Sequence, residues 1–248
     1  MNNEISFAHK NTVGWSYNCI NIPHLGHLSG LLELAKNLKQ GKKIKILLKD
    51  VNYNSKNFLV SEYEKIKQFI INFIINLGLN SHHVTFYKTS SIRFNEEFVH
   101  DFYKMTSVTS ESEVNDIFCK NTNIKIFDIF NVLINILDIY YLDVNEIISN
   151  DIKKIELSKK LLSELQYKNF SIIEHDSIYN FKNSLMCNNE NLTCITITEK
   201  ENIVRKKINK YFCEEGNGNT VILTIFKSII FPYCNLTSTD VVNYILEI

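Results

Sequence analysis

The chain has 248 residues, a length that a single well-buried core can serve. Hydrophobic residues make up 45% of it and charged residues 22%, with only 2 prolines and 7 glycines, which excludes collagen-like and Pro/Gly-rich disordered classes. Because 27 basic residues balance 27 acidic ones, no whole-molecule field draws the chain to nucleic acid or to an anionic membrane, and any RNA contact must come from a local basic patch.

Residues 11–16 are β-prone, and Pro23 then introduces Leu28, Leu31, Leu32, Ala35 and Leu38 at helical spacing, stopped by Gly41. Ile44 to Leu48 reads as a buried strand that ends at Asp50. Tyr63, Ile66, Ile70, Phe73, Ile74 and Leu77 form an apolar helical stripe ending at Gly78, and Val84 to Tyr87 is the next strand. The alternation β-α-β-α-β predicts an α/β fold with a parallel, doubly wound sheet. Glu96 to Met105, Ile124 to Leu142 and Asp151 to Tyr167 follow as helices, then a polar loop at 183–191, then helices over Glu201 to Phe212 and Val221 to Phe231.

The longest apolar stretch, Phe69 to Leu79, is broken by Asn72 and Asn76 and falls short of the ~20 residues of a membrane span. The polar start Met1-Asn2-Asn3-Glu4 carries no secretory pattern, so a cytoplasmic protein without membrane contact is expected. Six cysteines without any C-x-x-C pair read as reduced thiols rather than zinc ligands or a disulfide framework. The basic groups Lys36, Lys39, Lys42, Lys43 and Arg205, Lys206, Lys207, Lys210 read as solvated helix faces rather than an RNA footprint.

Pro23-His24-Leu25-Gly26-His27 lies where the first strand gives way to the first helix, at the carboxyl edge of the sheet, where open α/β folds place ligands. A helix N-terminus offers free N–H groups and a positive dipole end, Gly26 admits a ligand to the backbone, and two imidazoles can donate to phosphate oxygens. Spacing alone leaves two readings open, a triphosphate site and an ordinary satisfied helix start.

Context adds to this motif. Pro23-His24-Leu25-Gly26-His27 resembles the HIGH signature of class I aminoacyl-tRNA synthetases, and within them the tyrosyl-tRNA synthetases of the archaeal and eukaryotic type. The run Leu34 to Gly41 and the strand Ile46-Leu47-Leu48-Lys49-Asp50 are similar to that family's helix, glycine and "ILLAD" strand. Phe98 to Val108 resembles its "YTLDVYRLSS" helix, Leu137 to Val144 its "NDIHYLGVD" segment, and Lys206 to Asn217 its "KKIKKAYCPPGN" segment. The blocks keep the family's order over nearly the whole chain.

The resemblance implies one Rossmann-like catalytic domain over 1–248. Its nucleotide-binding core would occupy roughly 1–175, and a degenerate signature loop with closing helices 176–248, leaving no room for an anticodon-binding domain. It implies ATP with Mg2+ as cofactors, an amino acid and tRNA or aminoacyl-tRNA as partners, and a homodimer formed through helices around Asp101 to Ser112. His24 and His27 would hold the ATP phosphates, Gly14 and Gly26 would admit the adenylate, Asp138 would grip a tyrosine phenol, and Asp50 would shape the pocket.

The same alignment exposes departures. The KMSKS counterpart falls at Met186-Cys187-Asn188-Asn189-Glu190, where both lysine positions are lost, a change worth a few kcal/mol of transition-state stabilisation; Lys182 or Lys200 is the available substitute. The family's substrate-holding Tyr falls at Thr12, its helical Tyr and Gln at Asn131 and Asn135, and a second Gln near Ile152, so tyrosine specificity is expected to be altered. Ser16, in Gly14-Trp15-Ser16, resembles the nucleophile of cyclodipeptide synthases, which take aminoacyl groups from charged tRNA. Three functions therefore stand at this point: an aminoacyl-tRNA ligase, an aminoacyl transferase acting through Ser16, and an inactive paralogue that only binds.

Overall fold

The computed structural model describes residues 12–19, 22–51, 62–118, 124–179, 194–210 and 221–237. Its segments assort into two compact units, one drawn from 1–18, 42–61 and 83–174 and the other from 19–41, 62–82 and 175–248.

The first unit is built on a five-stranded sheet. Strands β1 (Thr12–Asn18), β2 (Lys43–Lys49), β3 (Val84–Lys88), β4 (Glu146–Ser149) and β5 (Ser171–Glu174) are all parallel and lie in the order β3-β2-β1-β4-β5. The order reverses at β1, which is the doubly wound Rossmann-like topology expected from the β-α-β-α-β alternation. β1 pairs with β2 along its whole length, from Thr12 opposite Lys43 to Asn18 opposite Lys49. Both central strands are buried on two faces, and the burial of Ile44, Ile46, Leu47 and Leu48 is what a continuous apolar run in a parallel sheet requires.

Among the described residues, this unit also holds the helices α3 (Thr89–Arg93), α4 (Glu96–Val108), α5 (Glu111–Asn115), α6 (Ile126–Leu142) and α7 (Ile152–Glu164). Their inward residues, among them Met105, Leu133, Ile136, Leu137, Leu161 and Leu162, close on one core. The Asp101 carboxylate of α4 accepts hydrogen bonds from Tyr141 (2.8 Å) on α6 and from Tyr167 (2.5 Å), tying helix to helix. α6 ends on Asp143 with φ 47°, a left-handed conformation that costs a non-glycine residue about 1 kcal/mol. Lys45 offsets it by donating to the carbonyls of Leu142 (3.0 Å) and Asp143 (2.9 Å).

The second unit holds α1 (Leu25–Lys39), α2 (Tyr63–Asn76), α8 (Glu201–Lys210) and a C-terminal helix, α9 (Val221–Ile225), that passes through a π-helical turn (Phe226–Ile230) into α10 (Phe231–Thr237). Gly41 and Gly78 follow α1 and α2 with φ of 80° and 71°, as their sequence positions predict. Leu32, Ile178, Cys194 and Ile229 form the local core. Cys19, Cys194 and Cys234 are buried. Among the described residues no helix is long and apolar enough to cross a membrane.

Candidate active site

The chain leaves β1 at Asn18 and enters α1 at Leu25. The entry is fixed from outside the helix: the Leu25 N–H donates to the Ile195 carbonyl (3.0 Å) and the Ile197 N–H to the Pro23 carbonyl (3.0 Å), an antiparallel bridge at His24 and Thr196. His24 is extended at the N-cap and 4% exposed, and its ring stacks on that of His27 with centroids 3.7 Å apart. The His24 backbone N–H donates to His27 Nδ1 (3.2 Å), which puts the His27 proton on Nε2. Burial lowers His24 to about 4, and burial together with the neighbouring His24 lowers His27 to about 3. Both rings are therefore neutral at pH 7 and can address an anion as N–H donors rather than as cations.

Two further features make this helix start suitable for an anion. The first turn of α1 has no acidic side chain, whereas Lys36 and Lys39 occupy its last turn, so the positive end of the dipole is not neutralised within the helix. His24 Nδ1 is buried without a hydrogen-bond partner. Gly26 is the second residue of the helix. One turn on, the buried Ser29 hydroxyl donates to the Asp176 carbonyl (2.8 Å) and lies 2.9 Å from His175 Nδ1, and Ser228 in the π turn donates to the Asp176 carboxylate. These contacts anchor α1 and leave its N-terminus to the two histidines.

In the other unit, polar side chains gather at the carboxyl ends of β2 and β3. Asp50, expected to shape a substrate pocket, is instead consumed by α3. Its Oδ1 accepts from the Thr89 hydroxyl (2.9 Å) and the Ser90 N–H (2.9 Å), and its Oδ2 from the Ser90 hydroxyl (2.7 Å). These bonds satisfy donors at the start of the short α3, so both carboxylate oxygens of Asp50 are engaged within the protein. Asp138, expected to hold a phenol, has both oxygens engaged by Arg93: Nε to Oδ1 at 2.9 Å and Nη2 to Oδ2 at 2.6 Å. Arg93 is 7% exposed and Asp138 1%, so this is a buried bidentate pair.

Beside it, Lys49 ends β2 and donates its ammonium to the Asn135 side-chain carbonyl, while Asn135 Nδ2 donates to the Asn131 backbone carbonyl (2.5 Å). Burial pushes the Lys49 ammonium down to about 8; Asp138 opposes that shift, and Arg93 and Lys154 add to it. The structure thus brings Asn131, Asn135 and Asp138 together with Lys49 and Arg93, neither of which the sequence marks as a site residue. Thr12 is not brought to Lys49: it opens β1, six residues before the strand's end and so about 20 Å away along the strand, buried at the sheet's amino edge.

Gly14 is needed for a reason other than ligand access. A Cβ there would come within 2.9 Å of Ile147, 3.0 Å of Val144 and 3.1 Å of Leu142, so on that side the protein's own aliphatic side chains occupy the space expected to admit an adenylate. Ser16 pairs in register with Leu47 and is half-buried. Among the described residues its hydroxyl makes no hydrogen bond to a base that would activate it as a nucleophile. The KMSKS counterpart at 186–190, together with Lys182, lies outside the described residues.

No family model matches the chain. It is 25% identical to a probable cytoplasmic tyrosine–tRNA ligase of Enterocytozoon bieneusi over 234 residues, 90% of this chain and 68% of that protein. The tyrosyl-tRNA synthetase from Aeropyrum pernix superposes with a TM-score of 0.76 at 15% identity, covering 89% of this chain and 70% of that one. The tyrosyl-tRNA synthetase from Archaeoglobus fulgidus, solved with L-tyrosine, gives 0.74 at 22%, covering 89% and 72%. The chain is thus similar, at 23–25% identity, to tyrosine–tRNA ligases of eukaryotes and archaea, and it shares the fold of the tyrosyl-tRNA synthetases.

Proposed function

We propose that this protein is a tyrosyl-tRNA synthetase-like ligase that activates an amino acid with ATP and passes it to tRNA. The observation that carries the reading is the start of α1, where two stacked neutral imidazoles, one with an unpartnered buried nitrogen, sit at a helix N-terminus free of acidic side chains. In the reaction a carboxylate oxygen of the amino acid bonds to the α-phosphorus as the bond from that phosphorus to the bridging oxygen breaks, and pyrophosphate leaves. His24 and His27 donate to the phosphate oxygens whose charge grows, a role that a fixed N–H donor fills without reorganisation. Mg2+ would arrive with ATP, on the nucleotide's own phosphates.

We place the protein in the cytoplasm, by its similarity to cytoplasmic tyrosine–tRNA ligases. A homodimer through α4 and α6 is supported by their exposed Val99, Tyr103, Ile126 and Phe130, the last two lining a cavity of about 390 Å³ with Thr106, Thr109 and Leu133.

Pyrophosphate exchange into ATP, run with each of the twenty amino acids in turn, tests the ligase reading. Exchange dependent on one or two amino acids is expected. Silence with all twenty, in protein that still binds ATP, would reduce the function to binding alone.

A further inference from the structure

We infer that the amino-acid subsite beside Asp138 takes a ligand with a carboxylate side chain, an acidic amino acid of the aspartate or glutamate class, in place of a phenol. The inference rests on the reading that an amino acid binds in this unit, and it follows from how the charges there are spent. Asp138 is held by Arg93 through both oxygens, so a phenol would have to share an acceptor whose charge a buried guanidinium already neutralises. Asp50 is used up on α3, and Lys154 is paired with Asp151 at 2.5 Å.

Lys49 is what remains. Its ammonium rests on a neutral acceptor, Asn135, and among the described residues no carboxylate lies within ion-pair distance of it. It stands at the end of a strand whose other inward residues, Ile44, Ile46, Leu47 and Leu48, are at most 1% exposed. Lys49 and Arg93 together exceed Asp138 by one positive charge. Burial lowers Lys49 to about 8 despite the attraction of Asp138, so the ammonium is under-compensated. A carboxylate placed against Lys49 supplies the missing counter-charge, beside an Arg93–Asp138 pair that is already neutral. A phenol supplies none.

Titration calorimetry on the full chain tests this with L-glutamate, L-aspartate, L-tyrosine and inorganic phosphate, with ATP titrated separately into the same preparation. An acidic amino acid is expected to bind at least tenfold more tightly than L-tyrosine or phosphate. Lys49→Met should weaken that binding tenfold or more, and Lys49→Arg should keep it within a few-fold. The affinity should also decline as the pH rises through about 8, where Lys49 loses its proton among Asp138, Arg93 and Lys154. A melting curve for Lys49→Met separates lost binding from lost folding. Tyrosine binding better, phosphate binding equally well, or no acidic amino acid binding at all would each overturn the inference. ATP binding without an acidic amino acid would overturn it alone, whereas an acidic amino acid binding without ATP would overturn only the nucleotide reading.

Discussion

Replacing Lys49 by Met isolates the electrostatic cost of the subsite. In the folded protein burial lowers the Lys49 pKa from 10.5 to about 8, which corresponds to about 3 kcal/mol of disfavoured charge at any pH where the ammonium persists in both folded and unfolded chains. Methionine has nearly the same length and no charge. It removes that penalty and also the hydrogen bond to Asn135, whose loss costs about 1 kcal/mol, so the variant should be about 2 kcal/mol more stable at pH 7. The sign reverses with pH in a defined window. Between about 8 and 10.5 the unfolded chain keeps a proton that the folded Lys49 has released, so the parent protein gains stability as the pH rises, and the variant does not. Urea unfolding of both proteins at pH 7 and pH 10 reads this directly, because all other titrations cancel in the difference. The variant's advantage should be present at pH 7 and gone at pH 10. A variant less stable than its parent at pH 7, or a gap unchanged by pH, would refute the assignment of Lys49 as an under-compensated buried cation.

Other outcomes follow from the same structure. Gly14→Ala should destabilise by roughly 1–3 kcal/mol in urea, because three branched side chains at 2.9–3.1 Å must move together to admit the methyl group. Arg93→Met should cost about 3–5 kcal/mol by leaving Asp138 buried and unpaired, and adding Asp138→Leu should restore most of it in a double-mutant cycle. The His24 ring, held at about 4 in the folded chain against 6.5 unfolded, contributes stability that is complete above pH 6.5 and is lost as the pH falls toward 4, up to about 3 kcal/mol in a pH series of unfolding curves. His24→Phe should flatten that part of the series. Sedimentation of the full chain should show a dimer that Tyr103→Glu together with Phe130→Glu converts to monomer.

Three of the five strands could be read directly from the letters, and two could not. The first three strands and the helices between them carry long periodic stripes, and the glycines that end α1 and α2 sit at positive φ where the spacing predicts them. β4 and β5 escaped because each is only four residues long with two isoleucines between polar ends, too short for any period to register. The turn at Phe226–Ile230 was predicted as plain helix, and nothing in its composition announces π geometry.

At the site, the position of the two histidines followed from strand, loop and helix order. Their neutrality did not, since it arises from burial of one ring against the other. Arg93 and Asp138 are 45 residues apart, and Lys49 and Asn135 are 86 apart, so the pairs that redefine the subsite exist only through the fold. A lysine directly after the apolar run Ile46-Leu47-Leu48 was the one sequence signal available for Lys49.

The start of α1 as a triphosphate site is tested most directly by titrating ATP with Mg2+ into the full chain and into His24→Ala/His27→Ala. Saturable one-to-one binding is predicted for the parent, weakened at least tenfold, about 1.4 kcal/mol, in the double variant. Absence of ATP binding, or binding that the double variant retains unchanged, would contradict it.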